Sequence, residues 1–316
     1  MINIIGGAGF VGSKLADVLQ KSGRLYRVFD KILSGDQYVD VTKPDTVLAL
    51  PTADVVINLA AEHKDNVTPP SLYDLVNVDG ARHVCNYCKA KNINKIVFTS
   101  SVAVYGFAPP GTDEKGALKP FNDYGRSKME AEEVYRQWLA EDPNGRSLVI
   151  IRPAVIFGEG NRGNVYNLLN QIAKGHFVMI GPGLNYKSMA YVDNVAEFIA
   201  HSTSFDTGLR TFNYADAPDL SMNELVSFCR DVIRGKNNIG LRLPSWAGIF
   251  IGYCFDGLAK ITSTNFSISS VRVRKFLATS SFTTSVKNSG FVPTWSLKTG
   301  LKRTLEYDFK DAKKKK

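Results

Sequence analysis

The chain has 316 residues, 44% of them hydrophobic and 22% charged, which suits one large globular unit or a two-lobed protein with a sizeable core. It contains no run of 18 apolar residues, no signal peptide and no disulfide framework among its four cysteines, so the sequence predicts a cytoplasmic protein without a membrane-spanning helix. The formal net charge is +9, but Lys313–Lys316 supply four of these charges and the others are scattered, which argues against nucleic-acid binding.

A buried strand followed by a glycine-rich turn opens the chain. The apolar run at residues 2–5 precedes three glycines at GxxGxxG spacing, and a helical pattern over 10–21 begins at once. Glycines here let the backbone approach a pyrophosphate, and the helix amino terminus offers N–H groups to phosphate oxygens. A dinucleotide-binding loop is therefore predicted, with a simple tight turn as the alternative. Its predicted lining residues are Gly6, Gly9, Phe10, Val11 and Gly12.

The second predicted strand, at 25–29, ends in an acidic residue about 20 residues after the glycine loop. Asp30 in this position accepts hydrogen bonds from the adenosine ribose hydroxyls and repels a 2′-phosphate. Lys31 follows directly and offsets part of this repulsion. The pair predicts NAD in preference to NADP, unless Asp30 is an ordinary turn residue.

Strands and helices alternate along residues 1–215, which predicts a doubly wound parallel sheet with helices on both faces. The remaining predicted strands are 55–59, 95–99, 147–151 and 211–214, and the remaining predicted helices are 44–50, 72–91 and 123–140. Pro44 and the Ser221-x-x-Glu224 capping box indicate helix starts. From about residue 160 the pattern loosens, as is typical of a substrate-binding lobe.

Two segments leave alternatives open. Cys85 and Cys88 form a CxxC pattern in the helix at 72–91, where helix packing is favoured over zinc because no second ligand pair accompanies them. The apolar stretch 243–261 fits a helix that docks on a membrane surface or, the favoured interpretation, a core helix of the second lobe.

The stretch FNDYGRSKMEAEEVY holds the most informative residue pair. Tyr124 and Lys128 are four residues apart, so both lie on one face of the helix at 123–140. An ammonium about 4 Å from a phenol in a partly desolvated site stabilises the phenolate by about 4 kcal/mol. We therefore expect Tyr124 to be a base with a lowered pKa, although this spacing also occurs by chance in solvated helices.

The strand at 95–99 brings Thr99, Ser100 and Ser101 to its carboxyl end, where open α/β sheets bind ligands. A serine hydroxyl there would hydrogen-bond a substrate hydroxyl and the Tyr124 oxygen together. The alternative is that these side chains satisfy backbone groups of the loop.

Several segments together resemble the extended short-chain dehydrogenase/reductase family, and within it the nucleotide-sugar epimerases and dehydratases. They are GGAGFVG, Asp30, NLAAEH, NVDGARHVCNYCKAKNINKIVFTSSVAVYG, YGRSK, IRPAVIFGEG and YVDNVAEF, in the family's order over residues 1–200, with a thinner resemblance to about 307. The resemblance implies an NAD-binding Rossmann domain and a smaller carboxyl-terminal α/β lobe for a nucleotide-diphosphate sugar, with UDP-linked sugars as the expected partners. It implies Tyr124 as the catalytic base, Lys128 as its partner and ribose anchor, and Ser101 beside the substrate.

The resemblance also implies a wider cofactor site. Asn77 matches the asparagine that braces its cofactor side, Asp40 and Val41 match the pair flanking the adenine, and Ala60 and Ala61 match the phosphate side. The complete implied cofactor set is Gly6, Gly9, Phe10, Val11, Gly12, Asp30, Lys31, Asp40, Val41, Leu59, Ala60, Ala61, Asn77, Ser100, Tyr124, Lys128 and Pro153.

For the substrate, the resemblance implies that Arg274 grips the diphosphate, by charge-assisted hydrogen bonds, and that the small Ser281 admits an N-acetyl sugar. Arg274 is alternatively an exposed helix charge, and Lys187 stands where an arginine often helps. The implied substrate set is Ser100, Ser101, Asn164, Lys187, Arg274 and Ser281, and no metal ligand is predicted.

Departures from the family pattern narrow the expected activity. Val102 and Ala103 stand where 4,6-dehydratases carry Asp-Glu, and Val155 stands where many relatives have an asparagine near the diphosphate. The resemblance thus implies an NAD-dependent 4-epimerase acting through a transient 4-keto sugar, on a UDP-(N-acetyl)hexosamine for polysaccharide biosynthesis. The alternatives are an NAD(P)H-dependent 4-ketoreductase of a nucleotide 4-keto-6-deoxy sugar, a 3β-hydroxysteroid dehydrogenase-like enzyme and a non-catalytic NAD(P)-binding protein.

The strand and helix pattern and the family resemblance together predict the domain boundaries. The NAD-binding domain is predicted at 1–164 with 185–215 returning to it, the substrate-binding lobe at 165–184 and 216–308, and a disordered basic tail at 309–316. The resemblance implies a homodimer through the helices at 72–91 and 123–140. Peripheral membrane contact is not favoured.

Overall fold

A computed structural model describes residues 1–64, 67–262 and 269–310, and at 259–261 it describes the backbone alone. The chain forms two compact units. The first comprises Met1–Ile156, Ala190–Ala215 and Phe282–Trp295, and the second comprises Phe157–Met189, Asp216–Ser281 and the chain from Ser296 onward. The predicted tail residues 311–316 lie outside the described residues.

The elements follow the predicted alternation. The strands are β1 (Ile2–Ile5), β2 (Tyr26–Phe29), β3 (Val55–Asn58), β4 (Lys95–Thr99), β5 (Ser147–Pro153), β6 (Val155–Phe157), β7 (Met179–Ile180), β8 (Tyr186–Lys187), β9 (Met189–Tyr191), β10 (Gly208–Tyr214), β11 (Leu220–Ser221) and β12 (Arg242–Leu243). The α-helices are α1 (Phe10–Lys21), α2 (Pro44–Leu48), α3 (Ser71–Tyr73), α4 (Gly80–Ala90), α5 (Asp123–Ala140), α6 (Asn164–Lys174), α7 (Val192–Ser202), α8 (Met222–Arg234), α9 (Ser245–Thr262), α10 (Ser270–Leu277) and α11 (Leu297–Leu305). Shorter helical turns occupy Gly35–Gln37, Asp74–Asp79, Val102–Tyr105, Val286–Ser289 and Glu306–Lys310.

The first unit is built on a six-stranded parallel sheet in the order β10-β5-β4-β3-β1-β2. The direction of the crossovers reverses between β1 and β3, so this fold has its topological switch point at the carboxyl ends of those strands. The predicted α/β doubly wound fold is confirmed, with the strand and helix positions close to those expected.

Two hydrophobic clusters hold this sheet because successive strand residues point to opposite faces. On one face Ile5, Val56 and Phe98 pack with α4 and α5, and this cluster also contains Cys85 and Cys88, which confirms the helix-packing interpretation of the CxxC pattern. On the other face the neighbouring strand residues pack with α1 and α7, including Ile4, Ile57, Val97, Leu15 and Phe198.

Several predicted boundaries differ from the structure. The first unit ends at Ile156 and not at 164, and it resumes at Ala190 and not at 185, so residues 157–164 and 185–189 belong to the second unit. Residues 282–295 were assigned to the substrate lobe but belong to the first unit, where Ser285 hydrogen-bonds the Glu114 carboxylate through its backbone N–H at 2.8 Å. The predicted tail also starts too early. The last helical turn continues to Lys310 because Phe309 is buried and stacks on Tyr166 at a centroid distance of 5.4 Å.

In the second unit, α8 begins at the predicted capping box, with the Ser221 N–H donating to Glu224 at 2.8 Å. The stretch predicted as a core helix forms α9, but that prediction is wrong for one face, because Trp246, Phe250 and Tyr253 are exposed. Within the described residues, no helix is both long enough and apolar enough to cross a membrane.

Candidate active site

Three loops meet in register at the carboxyl ends of the central strands. Ile5 pairs with Phe29 on one side and with Asn58 on the other, so Gly6, Asp30 and Leu59 follow adjacent strand ends. The Gly6 N–H donates to the Phe29 carbonyl at 2.9 Å, and the Leu59 N–H donates to the Ile5 carbonyl at 2.8 Å. The structure therefore places these predicted cofactor residues together at the switch point of the sheet.

The glycines of the first loop are required by close backbone approaches. Gly6 has φ +78°, and a Cβ on it would lie 2.5 Å from the Ala60 backbone nitrogen. A Cβ on Gly12 would lie 2.5 Å from the Gly7 Cα, so this glycine lets α1 pack against the loop. Helix α1 starts at Phe10 without a side-chain cap and without an acidic residue in its first turn. This leaves its first N–H groups and positive dipole end for an anion.

Asp30 lies beside this loop as predicted. One carboxylate oxygen accepts a hydrogen bond from the Ala8 N–H at 3.1 Å, and the other accepts one from the Ile32 N–H at 3.3 Å. These bonds fix the carboxylate between the glycine loop and the turn after β2. Lys31 is exposed.

Asp40 and Val41, which the resemblance places beside the adenine, make hydrogen bonds within the protein. Asp40 caps its own turn, accepting from the Thr42 N–H at 3.0 Å and the Thr42 hydroxyl at 2.8 Å. Val41 is buried, and its carbonyl oxygen lies 2.7 Å from the His83 Nδ1. Both residues are thus fixed in a loop next to α4.

Asn77, which the resemblance places at the cofactor side of the site, connects two segments of the first unit. Its amide group donates to the Ser127 hydroxyl at 2.8 Å and exchanges two hydrogen bonds with the Glu62 backbone, at 2.9 and 3.0 Å. Ser127 in turn donates to the Tyr124 carbonyl oxygen at 2.9 Å. Asn77 therefore ties the loop after β3 to the first turn of α5, which carries Tyr124.

Tyr124 and Ser101 are hydrogen-bonded through their side chains. Ser101 caps the short turn Val102–Tyr105, with its hydroxyl accepting from the Ala103 N–H at 3.1 Å. Gly125 allows α5 to lie close to the turn that follows Ser101, because a Cβ on Gly125 would lie 2.5 Å from the Ala103 carbonyl oxygen. Sequence reasoning missed this role of Gly125, whose only signal was its position next to Tyr124.

The pKa of Tyr124 differs from the sequence expectation. Burial raises the pKa of this phenol above its ordinary value, the hydrogen bond with Ser101 lowers it, and the neighbouring Tyr73 raises it. The Tyr73 ring lies 6.5 Å from the Tyr124 ring. The protein environment thus favours the neutral phenol. Lys128, which was expected to lower the pKa of Tyr124, is not among the groups that shift it.

Lys128 is buried on the same helix. Its ammonium nitrogen lies 4.4 Å from the centroid of the Phe98 ring, which is a cation–π contact. Burial lowers the pKa of Lys128 to about 7, and the negative charge of Glu132 raises it. The position and charge state of Lys128 are therefore set by β4 and by the next turn of α5.

Ser100, which the resemblance places at the cofactor and the substrate, directs its side chain into a buried network. It is buried, and its hydroxyl donates to Glu132 at 2.6 Å. The same carboxylate pairs with Arg152 of β5 at 2.8 and 2.5 Å. Since extended backbone sends successive side chains to opposite sides, Ser100 faces this network while Ser101 faces Tyr124. Glu132 and Arg152 were not among the predicted site residues, because no short motif marks their pairing.

The remaining predicted first-unit residues are placed as follows. Ala60 donates its N–H to the Asn58 side chain at 3.1 Å, next to Ala61, and Pro153 is the last residue of β5. Val155 is 40% exposed, so its side chain is not part of the core.

The predicted substrate residues of the second unit are described within that unit. Asn164 is exposed at the start of α6. Lys187 donates to the carbonyl oxygens of Lys275 and Ala278 at 2.8 and 2.6 Å, and burial lowers its pKa to about 8. Its amine therefore holds the segment that leads from Arg274 to Ser281. Arg274 is exposed and hydrogen-bonds the Tyr253 hydroxyl.

A parallel sheet with a glycine loop, an acidic residue after β2 and a serine-bonded tyrosine beside a buried lysine defines an enzyme of the NAD-linked, doubly wound class. The model of the NAD dependent epimerase/dehydratase family matches residues 2–213. The chain belongs to this family, and its cofactor is NAD. The residues fit that cofactor, since the glycines leave the room for a close approach that any Cβ would fill.

Known proteins agree with this assignment. The chain is 48% identical, over 98% of its length and 96% of the relative's, to N-acetyl-alpha-D-glucosaminyl-diphospho-ditrans,octacis-undecaprenol 4-epimerase of Escherichia coli O157:H7. Among solved structures it resembles the UDP-N-acetylglucosamine 4-epimerase from Bacillus cereus, with a TM-score of 0.74 at 17% identity over 96% of this chain and 97% of the other. The UDP-glucose 4-epimerase from Thermotoga maritima also gives a TM-score of 0.74, at 20% identity over 97% of both chains. At these identities the two structures support the fold alone.

Proposed function

We propose that this chain is a 4-epimerase of an N-acetylhexosamine joined through a diphosphate to a polyprenyl lipid. The observation that carries the proposal is the Ser101–Tyr124 hydrogen bond on the Rossmann sheet, in a chain nearly half identical to an epimerase named for such a substrate. The resemblance in sequence favours a UDP-linked sugar, and that carrier is the second candidate because the structures with this fold include UDP-sugar 4-epimerases.

The residues of the first unit have distinct roles in this reaction. Bound NAD would supply the hydride-transfer chemistry at carbon 4 of the sugar, and the glycine loop and Asp30 would hold it. Tyr124 takes the proton of the 4-hydroxyl as hydride leaves and gives it back in the second half, so no proton is consumed. Ser101 aligns the 4-hydroxyl with the Tyr124 oxygen, and Lys128 holds positive charge near both. Burial raises the pKa of Tyr124, and the hydrogen bond with Ser101 opposes that rise.

The substrate residues of the second unit follow from the resemblance. We place Arg274 at the diphosphate, Ser281 at the N-acetyl group and Asn164 beside the substrate. Lys187 acts by positioning the segment 275–280, to which it is hydrogen-bonded.

Conversion without net redox change separates an epimerase from a ketoreductase. Purified protein should interconvert the glucosamine and galactosamine forms of the substrate to a fixed ratio from either side, without consuming added reduced cofactor. One-way turnover that consumes NADH or NADPH in equal amount would replace the epimerase with the ketoreductase. Val102 and Ala103, in place of an Asp-Glu pair, argue against dehydration.

The carrier is tested by offering the same sugar on polyprenyl diphosphate and on UDP. We expect conversion of the lipid-linked form at a higher kcat/KM. Equal or better conversion of the UDP-sugar would contradict the proposed carrier while leaving the epimerase chemistry in place.

The homodimer through the helices at 72–91 and 123–140 stays a prediction. Leu75 is 42% exposed in the turn Asp74–Asp79, so the variant Leu75→Asp should be monomeric in light scattering after size exclusion if this face forms the dimer.

A further inference from the structure

Helix α9 presents a large apolar face to solvent. Trp246, Phe250 and Tyr253 are 73%, 64% and 51% exposed, and their spacing of four and three residues puts them on one face. Ile251 and Leu258, 37% and 44% exposed, widen this apolar face. Single exposed apolar side chains are ordinary, but a contiguous set that includes three aromatic rings indicates a binding surface.

The opposite face of α9 explains this orientation. A Cβ on Gly248 would lie 2.3 Å from the Ile180 side chain, and a Cβ on Gly252 would lie 2.7 Å from the Ser270 Cα. The small residues therefore pack against the unit, and the large ones have to face outward. This is the reverse of the usual amphipathic helix of a globular protein, in which the large apolar side chains face the core.

Basic residues lie next to this apolar face. Asp256 is the single charged residue among the described side chains of α9, and its carboxylate is turned toward α10, where it accepts the Ser270 N–H at 3.2 Å. Helix α10 itself carries Arg272, Arg274 and Lys275 and has no acidic residue. The Arg274 guanidinium lies 5.7 Å from the centroid of the Tyr253 ring.

We propose that α9 and α10 form a docking surface for an anionic lipid bilayer, with the aromatic face of α9 inserted among the headgroups and with Arg272 and Lys275 of α10 near lipid phosphates. Aromatic rings flanked by basic side chains are the composition of helices that lie in the membrane interface. A bilayer fits better than a second copy of the chain, because an isologous contact would bring together two sets of like charges. This docking surface rests on the proposed function, because a polyprenyl-linked substrate stays in a bilayer. The vesicle-binding experiment nevertheless needs no substrate.

The test is flotation of the full-length, NAD-loaded protein with vesicles. We expect binding to phosphatidylethanolamine–phosphatidylglycerol vesicles, weaker binding to phosphatidylcholine vesicles, and loss of binding at high salt. The double variant Trp246→Ser/Phe250→Ser should lower the bound fraction by at least about tenfold, because two large apolar groups no longer insert. The variant Arg272→Glu/Lys275→Glu should lose the preference for the anionic vesicles.

Leu25→Ser is the matched control, since Leu25 is 70% exposed in the first unit, and it should bind vesicles like the wild type. Thermal unfolding checks that each variant is folded. Absence of wild-type flotation, or equal flotation of the Trp246→Ser/Phe250→Ser variant, overturns the proposal. A change of oligomeric state in that variant, without wild-type lipid binding, would assign the face to a contact between copies. Vesicle binding without conversion of the lipid-linked sugar would instead contradict the proposed substrate alone.

Discussion

The Arg152 guanidinium and the Glu132 carboxylate form a bidentate ion pair inside the first unit, with distances of 2.8 and 2.5 Å and exposures of only 2% and 1%. Ser100 donates to the same carboxylate, and Arg152 also donates to the Tyr105 hydroxyl at 2.6 Å. Burial opposes the charge on Arg152, but the pairing with Glu132 raises its pKa. This network connects β5 and the residue after β4 to α5, the helix that carries Tyr124 and Lys128.

Breaking this pair should destabilise the protein. Arg152→Met leaves the Glu132 carboxylate buried without its partner, so we expect the free energy of unfolding in urea to fall by about 3–5 kcal/mol. The double variant Arg152→Met/Glu132→Leu should recover part of that loss, because it leaves no buried charge unpaired. Losses that simply add in the double variant would contradict the coupling.

Tyr124→Phe should lower kcat by about 10²- to 10⁴-fold, because the phenol is the group that exchanges the proton. The measurement is the rate of interconversion of the two sugars, with NAD binding checked by calorimetry. Tyr73→Phe is the control, since Tyr73 neighbours Tyr124 but donates its hydroxyl to the Lys64 carbonyl. Epimerisation by Tyr124→Phe within a few-fold of wild type would remove Tyr124 as the base.

Lys128 should give stability a characteristic pH dependence. The unfolded chain holds this proton up to about the ordinary pKa of 10.5, whereas the folded chain releases it at about 7. Between these values the unfolded state binds more protons, so the contribution of Lys128 to the free energy of unfolding rises with pH. Relative to Lys128→Met, the wild type should gain a few kcal/mol, on the order of the pKa difference, between about pH 7 and 10. Parallel stability curves from urea titrations would contradict a buried, weakly basic Lys128.

Gly6→Ala should abolish tight NAD binding, because the new Cβ meets the Ala60 nitrogen at 2.5 Å and forces the loop off the strand end. Gly23→Ala is the matched control, since Gly23 also has a positive φ, +68°, but nothing lies within 4 Å of its Cβ position. Both variants carry the backbone strain of about 1 kcal/mol, so a difference between them in calorimetric NAD affinity isolates the close approach. Equal affinities would show that the loop does not need this glycine for the cofactor.

Asp30→Asn should shift cofactor preference toward NADP by about tenfold, or about 1.4 kcal/mol, because it removes the charge that repels the 2′-phosphate. Asp36→Asn, which removes an exposed negative charge in the turn Gly35–Gln37, should leave the ratio unchanged. The ratio of the two dissociation constants is the measurement. An unchanged ratio in Asp30→Asn would mean that Asp30 acts as a turn residue only.

Local patterns were enough to predict most of the first unit. The short apolar runs of the strands, the glycine spacing before α1, and Pro44 at the start of α2 are features of neighbouring residues, and each has a local physical cause. The exposed face of α9 was not predictable in the same way. Its composition suits a core helix, and only the packing of Gly248 and Gly252 against other segments turns the aromatic rings outward.

The sequence by itself determined the dinucleotide fold, the acidic residue after β2 and the placing of Tyr124 and Lys128 on one helix face, because these depend on spacing along the chain. Only the tertiary structure decided that Lys128 is buried against Phe98 and that Gly125 packs against the Ala103 carbonyl. It also decided that Ser100 hydrogen-bonds Glu132, whereas Ser101 hydrogen-bonds Tyr124. These contacts join residues far apart in sequence, so they depend on strand register and on close packing, which no local pattern records.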